Sequence, residues 1–352
     1  MKKTLIALAA LSSIAGVAQA QSSVTLYGLV DAYVGSRSVT VGGTKTTQTV
    51  VNSSGQNKSR FGFRGVEDLG GGLKAVFVLE GGFNTDDGAG NLSGGGLFSR
   101  QANVGLTGGF GTVKIGRVYT AYDALRGATN MIYDSNFAIT ANAWNGGSVA
   151  DYANRTSNGF SYESPSFGGF SGAFVAGVGE DKNAVGTQTA SRNFSLHVKY
   201  ANGPLMVGYA HQNQKFNGGT TIFSIPSAVA VSTRPARYNL FAASYDFGVA
   251  KIVGNYNHAA QDANLAGVPE NKDKEYQVGV SVPFGAAAIA AGYARSKSDN
   301  TSAKGVGYSI LGTYSLSKRT NLYTGLLQTK LTTAAPVTTK VNLFAVGVKH
   351  TF

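Results

Sequence analysis

From Val24 onward most of the chain alternates apolar residues with polar or small ones at a period of two, the signature of strands with two unlike faces. Tyr276, Val278, Val280 and Val282 alternate with Gln277, Gly279 and Ser281. Val306, Tyr308, Ile310, Gly312 and Tyr314 alternate with Gly307, Ser309 and Thr313. Phe344, Val346, Val348, His350 and Phe352 alternate with Ala345, Gly347, Lys349 and Thr351. The segments run about 9–12 residues, enough to cross a hydrocarbon layer at a tilt. Short turns are expected at 67–72, 108–111, 164–169, 202–204, 246–248, 283–285 and 317–319. Long polar loops are expected at 39–57, 84–96, 119–155, 180–190, 215–235, 261–273, 297–303 and 331–339. Fifteen connections imply about sixteen strands. Short turns on one rim and long loops on the other are the asymmetry of an outer-membrane barrel, with both termini on the short-turn rim.

One stretch, Tyr119–Arg155, does not alternate. It carries Tyr119, Tyr122, Ile132, Tyr133, Phe137, Ile139 and Trp144, the only tryptophan. Loops of this length are uncommon in compact domains and usually functional, and this one is too apolar to be a solvated tail. It is expected to fold into the barrel and narrow a pore.

The N-terminus reads as a cleaved secretory signal peptide over residues 1–20: basic Lys2 and Lys3, an apolar run from Leu5 to Val17, and the small-residue site Ala18-Gln19-Ala20. Residues 21–352 then form a single domain. No later apolar run suits a membrane helix. A membrane chain without such helices must be a closed barrel, because lipid leaves no partner for an open sheet edge. A soluble β-sandwich also alternates, but a soluble chain of this length would normally divide into domains, and no linker is evident.

Composition agrees. The 48 glycines among 352 residues are about twice the usual share of roughly 7%, and the mean hydropathy is near zero, as one apolar and one polar face require. The absence of cysteine removes disulfides and thiolate metal sites. Removing two signal-peptide lysines from the 30 basic residues leaves 28 against 18 acids, a mature charge of +10. No basic helix or Lys/Arg run appears, which argues against nucleic acid as a partner. Neither a nucleophile elbow, a dinucleotide or phosphate loop, nor a paired-histidine zinc motif is present. The four histidines, His197, His211, His258 and His350, are far apart in sequence. An enzyme, a metal site and a cofactor are therefore not expected. The alternatives are a barrel with a hydrolytic site at one rim and an adhesin or structural barrel.

Several segments carry a family resemblance. Val24–Gly28, the run Ser59-Arg60-Phe61-Gly62-Phe63-Arg64-Gly65-Val66-Glu67-Asp68-Leu69-Gly70, Arg100–Leu106, Tyr162–Phe170 and the ending Val348–Phe352 resemble the trimeric general porins of Gram-negative outer membranes, in order along the whole mature chain. The resemblance implies an all-β transmembrane antiparallel barrel of sixteen strands with its third loop inside. It also implies a homotrimer and passive diffusion of ions and small hydrophilic solutes. The partners implied are outer-membrane lipid and lipopolysaccharide outside and the outer-membrane assembly machinery, which is thought to read a terminal aromatic, here Phe352.

Candidate pore residues come from both sources. Arg60 and Arg64 share a face opposite Phe61 and Phe63. An arginine facing lipid at mid-membrane costs about 2–4 kcal/mol, so this face belongs to the lumen. Arg64 has a second reading, a pair with Glu67 or Asp68. Glu80, opposite in parity to Phe77 and Leu79, faces the lumen as a loop anchor or a bare carboxylate. In such porins basic wall residues face loop acids, which by resemblance marks Arg60, Arg100 and Arg155 on the wall; Arg155, which closes the long loop, has a second reading as a loop clamp. The loop acids here are Asp123, Asp134 and Asp151, the first two being the candidates for the constriction. The loop lacks the family's frequent Pro-Glu-Phe-Gly-Gly turn. Arg117 and Arg126 are expected to pair structurally with Asp123. With a surplus of basic charge, a weak preference for anions is expected.

Overall fold

The computed structural model describes residues 23–90, 96–132, 134–144, 148–149, 151–180, 190–215, 234–262 and 269–352; the expected signal peptide and Tyr133 lie outside them. The strands are β1 (Ser23–Val41), β2 (Thr44–Ser53), β3 (Arg60–Gly70), β4 (Leu73–Gly82), β5 (Gln101–Gly108), β6 (Gly111–Tyr119), β7 (Arg155–Glu163), β8 (Phe170–Val178), β9 (Arg192–Asn202), β10 (Leu205–Lys215), β11 (Ala236–Asp246), β12 (Lys251–Gln261), β13 (Asn271–Phe284), β14 (Ala287–Ser298), β15 (Lys304–Ser315), β16 (Thr320–Thr332) and β17 (Thr338–Thr351). The strands pair antiparallel along the sequence, and β17 pairs with β1, so the sheet closes on itself. Seventeen segments make a sixteen-strand barrel, because β2 and β3 share one place in the wall. β1 pairs with β3 along Ser23–Leu29 and with β2 along Ala32–Val41.

The first expected long loop, 39–57, is corrected by this arrangement. Most of it is a hairpin: β1 continues to Val41, Gly42 and Gly43 turn with φ of 57° and 98°, and β2 returns. Two consecutive residues with positive φ suit the tight hairpin turn, and the threonine-rich run Thr44-Lys45-Thr46-Thr47 suits a strand although it alternates nothing. At 19 residues β1 is longer than a bilayer crossing needs. On the opposite rim, Gly70, Gly71 and Gly72 turn β3 into β4 with φ of 85°, 61° and 81°, angles that only glycine adopts without strain.

The burial pattern is inside out. On β13, Tyr276, Val278 and Val280 are exposed while Asp273, Glu275 and Gln277 are buried; β15 and β17 repeat this with Tyr308, Ile310, Phe344, Val346 and Val348 exposed. The apolar face meets lipid and the polar face meets what fills the barrel. No helix among the described residues is long and apolar enough to cross a membrane.

The filling is the segment between β6 and β7. It carries two short helices, α1 (Ala121–Ala128) and α2 (Ile139–Ala143). Thr120 caps α1 by accepting the Asp123 amide through its hydroxyl, which satisfies one of the free amides of the first turn. The expected apolar residues are buried: Tyr122, Phe137, Ile139 and Trp144 are at most 2% exposed. Fully burying a large apolar side chain contributes roughly 1.5–3 kcal/mol, so these four hold the loop in place. α1 packs on β9–β11, with Tyr122, Tyr152 and Tyr238 in mutual contact at 4.6–6.3 Å between ring centroids. α2 packs on β14–β16. Inward glycines make the bed of this loop: a β-carbon at Gly279 would strike Met131, at Gly292 Ile139, at Gly305 the Ala143 carbonyl, and at Gly325 the Phe137 ring. Polar wall groups hold the backbone, as Gln277 and Asn255 donate to the Thr129 carbonyl and Ser296 to that of Ala143. The barrel closes where Phe352 and Gly28 exchange two backbone hydrogen bonds of 3.0 Å, the Phe352 ring lying over Gly28 on the outer face.

Candidate pore constriction

The alternation of β3 turns Phe61 and Phe63 outward and Arg60, Gly62 and Arg64 inward. Gly62 stands opposite Glu80 of β4 in the register. Arg100 immediately precedes β5, and its backbone amide donates to the Glu80 carbonyl. The pairing of β3, β4 and β5 therefore gathers three charged residues separated by up to 40 positions.

The Arg100 guanidinium, almost wholly buried, bonds in three directions: Nε to Glu80 Oε1 at 2.8 Å, Nη2 to the Tyr119 phenol at 2.9 Å and Nη2 to Asp134 Oδ2 at 3.1 Å. Arg60 Nη1 reaches the same Asp134 oxygen at 3.1 Å, and its Nε lies 4.0 Å from Glu80. The Tyr27 hydroxyl donates to the other Glu80 oxygen. Tyr119 also accepts from Arg155 Nη2 at 2.6 Å, and the Arg155 guanidinium lies 4.2 Å from its ring centroid. Lys58 Nζ is 3.9 Å from Asp134 Oδ1. Four cations, Lys58, Arg60, Arg100 and Arg155, thus surround two carboxylates, Glu80 and Asp134, a surplus of 4 − 2 = +2.

Burial alone would raise the Asp134 carboxyl. The charges of Arg100, Lys58, Arg60 and Arg155 outweigh it and hold the group below the usual carboxylate range. Asp134 stays ionised through neutral and mildly acidic pH. It sits in the left-handed region at φ 58°, a conformation that is uncommon for a non-glycine residue and that aspartate tolerates better than most.

The other expected residues fall elsewhere. Arg64 lies lower on the β3 face, exposed, its guanidinium 5.4 Å from the Tyr27 ring, and no ion pair with Glu67 or Asp68 occurs among the described residues. Asp123 is buried within the loop's own packing and accepts the Tyr152 hydroxyl at 2.6 Å. Asp151 pairs with Arg126 at 3.3 Å, and the Arg126 guanidinium sits between Trp144 and Tyr152 at 4.7 and 4.5 Å from their rings. Arg117 donates to the Ser99 carbonyl and the Ser157 hydroxyl. Glu80 touches the loop through Arg100, since that guanidinium carries both Glu80 and Asp134. Lys58, Tyr27 and Tyr119 are members of the cluster that alternation does not reveal.

A closed sixteen-strand barrel with an apolar exterior, a polar interior and an inserted loop lined by charge is an outer-membrane diffusion channel. The chain belongs to the Gram-negative porin family, whose model matches residues 7–334. It is similar to outer membrane porin protein 32 of Delftia acidovorans, at 36% identity over 93% of this chain and 89% of that one. It also resembles an outer membrane porin protein of Bordetella pertussis, at 33% identity over 92% of this chain and 93% of that one. Among solved structures it resembles the anion-selective porin from Comamonas acidovorans, with a TM-score of 0.77 and 29% identity, covering 94% of this chain and 100% of that one. The protein is an outer-membrane general porin, a passive channel and not an enzyme.

Proposed function

We propose that this channel weakly prefers anions and that the Lys58–Arg60–Arg100–Arg155 cluster sets the preference. The +2 surplus around Glu80 and Asp134 carries the reading. Salt screens exposed charges beyond about 8–10 Å at physiological strength, so charges lining the passage outweigh the +10 of the mature chain. Two carboxylates cancel part of the field, which keeps the preference modest. The anion selectivity of the Comamonas relative is in keeping with this sign. The test is the zero-current potential across a planar bilayer in a KCl gradient: the expected sign is that of chloride, and the sign of potassium would overturn the reading.

The remaining parts of the reading follow the general-porin resemblance: cleavage of residues 1–20, a homotrimer embedded in outer-membrane lipid, and recognition of Phe352 by the assembly machinery. Phe352 is exposed on the outer face at the seam between β1 and β17, where a factor guiding closure would meet it. Deleting Phe352 is expected to reduce the trimer band on unboiled gels severalfold while total synthesis is unchanged. An undiminished trimer band would remove this role, and a monomer band in the full-length protein would remove the trimer.

A further inference from the structure

The second strand of the wall is interrupted. β2 ends at Ser53 and β3 begins at Arg60, both against β1, and residues 54–59 leave the sheet beside Asp31. Asp31 is fully buried. Its carboxylate accepts three successive backbone amides, Gly55 at 2.9 Å, Gln56 at 2.9 Å and Asn57 at 2.8 Å. It also accepts the Tyr323 hydroxyl from β16 at 2.5 Å. Ser54 donates its amide to the Asp31 carbonyl, the Ser59 hydroxyl accepts the Asp31 amide, and Lys349 of β17 donates to Asn57 Oδ1 at 2.9 Å. Charge-assisted hydrogen bonds to an ionised carboxylate are roughly twice as strong as neutral ones, so the segment is pinned rather than loose.

What it is pinned against is the inserted loop. The Lys58 amide donates to the Asp134 carbonyl and the Asn136 amide to the Ser54 carbonyl, both at 2.9 Å, so the two insertions pair backbone to backbone. Ser54 at φ 71° and Asp134 at φ 58°, one on each side, both hold a left-handed conformation. Such strain persists only where the surroundings impose it, and it gathers at functional sites. The contact delivers Lys58 to the carboxylate shared by Arg60 and Arg100.

We propose that residues 54–59 form a second constriction element facing the inserted loop, that Lys58 is a further selectivity-determining cation, and that Asp31, buttressed by Tyr323, is its positioning residue. The proposal rests on the anion-preferring reading of the same cluster. A direct salt contact of Lys58 with Asp134 is long, at 3.9 Å, and the Lys58 side chain is about one-third exposed. It therefore keeps charge available to a passing ion, whereas Arg100 is spent on its partners. Asp31 acts without touching that ion: its three amide bonds fix the turn that sets where Lys58 stands.

The experiment compares zero-current potentials in a KCl gradient for refolded full-length protein and Lys58→Glu, Asp31→Asn and Tyr323→Phe, with Lys318→Glu on the exposed short-turn rim as a matched change of charge. Lys58→Glu is expected to lower the chloride-to-potassium permeability ratio about fivefold or more, the Boltzmann factor for a unit charge acting across about 4 Å of water. Lys318→Glu should leave it within about a factor of 1.5, since that side chain is exposed on a rim turn where salt screens it. Asp31→Asn keeps the shape but replaces an acceptor oxygen with a donor. It should spread the single-channel conductances and lower the ratio, against the rise that the loss of one buried negative charge would by itself produce. Tyr323→Phe should do the same to a smaller extent. A ratio unchanged by Lys58→Glu in assembled barrels overturns the role of Lys58. If Lys58→Glu shifts the ratio but Tyr323→Phe, which alters no charge, leaves both the ratio and the spread of conductances unchanged, the positioning role falls. If Asp31→Asn does not assemble, Tyr323→Phe decides alone, an unchanged ratio sinking the positioning role. Shifts are read relative to the unaltered protein. A potassium-preferring channel that still moves with Lys58→Glu would therefore overturn the anion preference and leave Lys58 in place.

Discussion

Arg60→Glu combined with Arg155→Glu is expected to turn the channel from chloride preference to potassium preference. The change takes the cluster from +2 to −2, because two of four cations become carboxylates beside Glu80 and Asp134. At 4 Å a unit charge contributes about 1 kcal/mol in bulk water and about 4 kcal/mol at an effective dielectric near 20. Four units of difference, even heavily screened, exceed the thermal energy several times over. Barrel yield should be preserved, since both side chains leave the wall's backbone hydrogen bonds untouched and neither faces lipid. Asp134→Asn should act in the opposite direction, adding to chloride preference by removing the acid shared by Arg60 and Arg100. A zero-current potential that stays put in the double variant would show that ions pass elsewhere.

The second large effect concerns the bed of the inserted loop. Gly305→Val is expected to lift α2 from the wall. Its β-carbon would overlap the Ala143 carbonyl, which Ser296 Oγ holds at 2.6 Å. Overpacking of this kind costs typically about 1–3 kcal/mol, and the displaced helix has only the lumen to move into. Single-channel conductance should fall and become heterogeneous, with the barrel still assembled. Gly312→Ala on the same strand is the contrast. It faces outward, and its β-carbon would meet Thr324 at no closer than 3.8 Å, an ordinary contact. Equal conductance in the two variants would place the loop's support elsewhere.

Alternation made the barrel legible because each strand must sort residues between lipid and water, and that sorting leaves a period of two. Counting the short turns and long connections then led to the strand number. The hairpin of β1 and β2 was not legible, since past the apolar band both of its faces are wet and nothing sorts the residues. Tyr119–Arg155 announced itself by its apolar residues, but without periodicity its acids could not be ranked. Asp134 meets the arginines and Asp123 turns into the loop's own core for reasons of chain path. The inward glycines at 279, 305 and 325 did carry a signal, a face too small to fill a lumen unless something packs on it. Lys58 left no signal, because its place is set by Asp31, 27 positions earlier, through a turn that no local pattern marks.

Control of ion passage by fixed cations at the constriction has its clearest signature in salt dependence. The most direct measurement is the zero-current potential of the unaltered protein in a fixed KCl concentration ratio, repeated as total salt is lowered from about 1 M to about 0.01 M. The Debye length grows from about 3 to about 30 Å over that range. The expected result is a potential of chloride sign throughout that rises steadily as salt falls. A potential near zero at every concentration, or one of potassium sign at low salt, would contradict it.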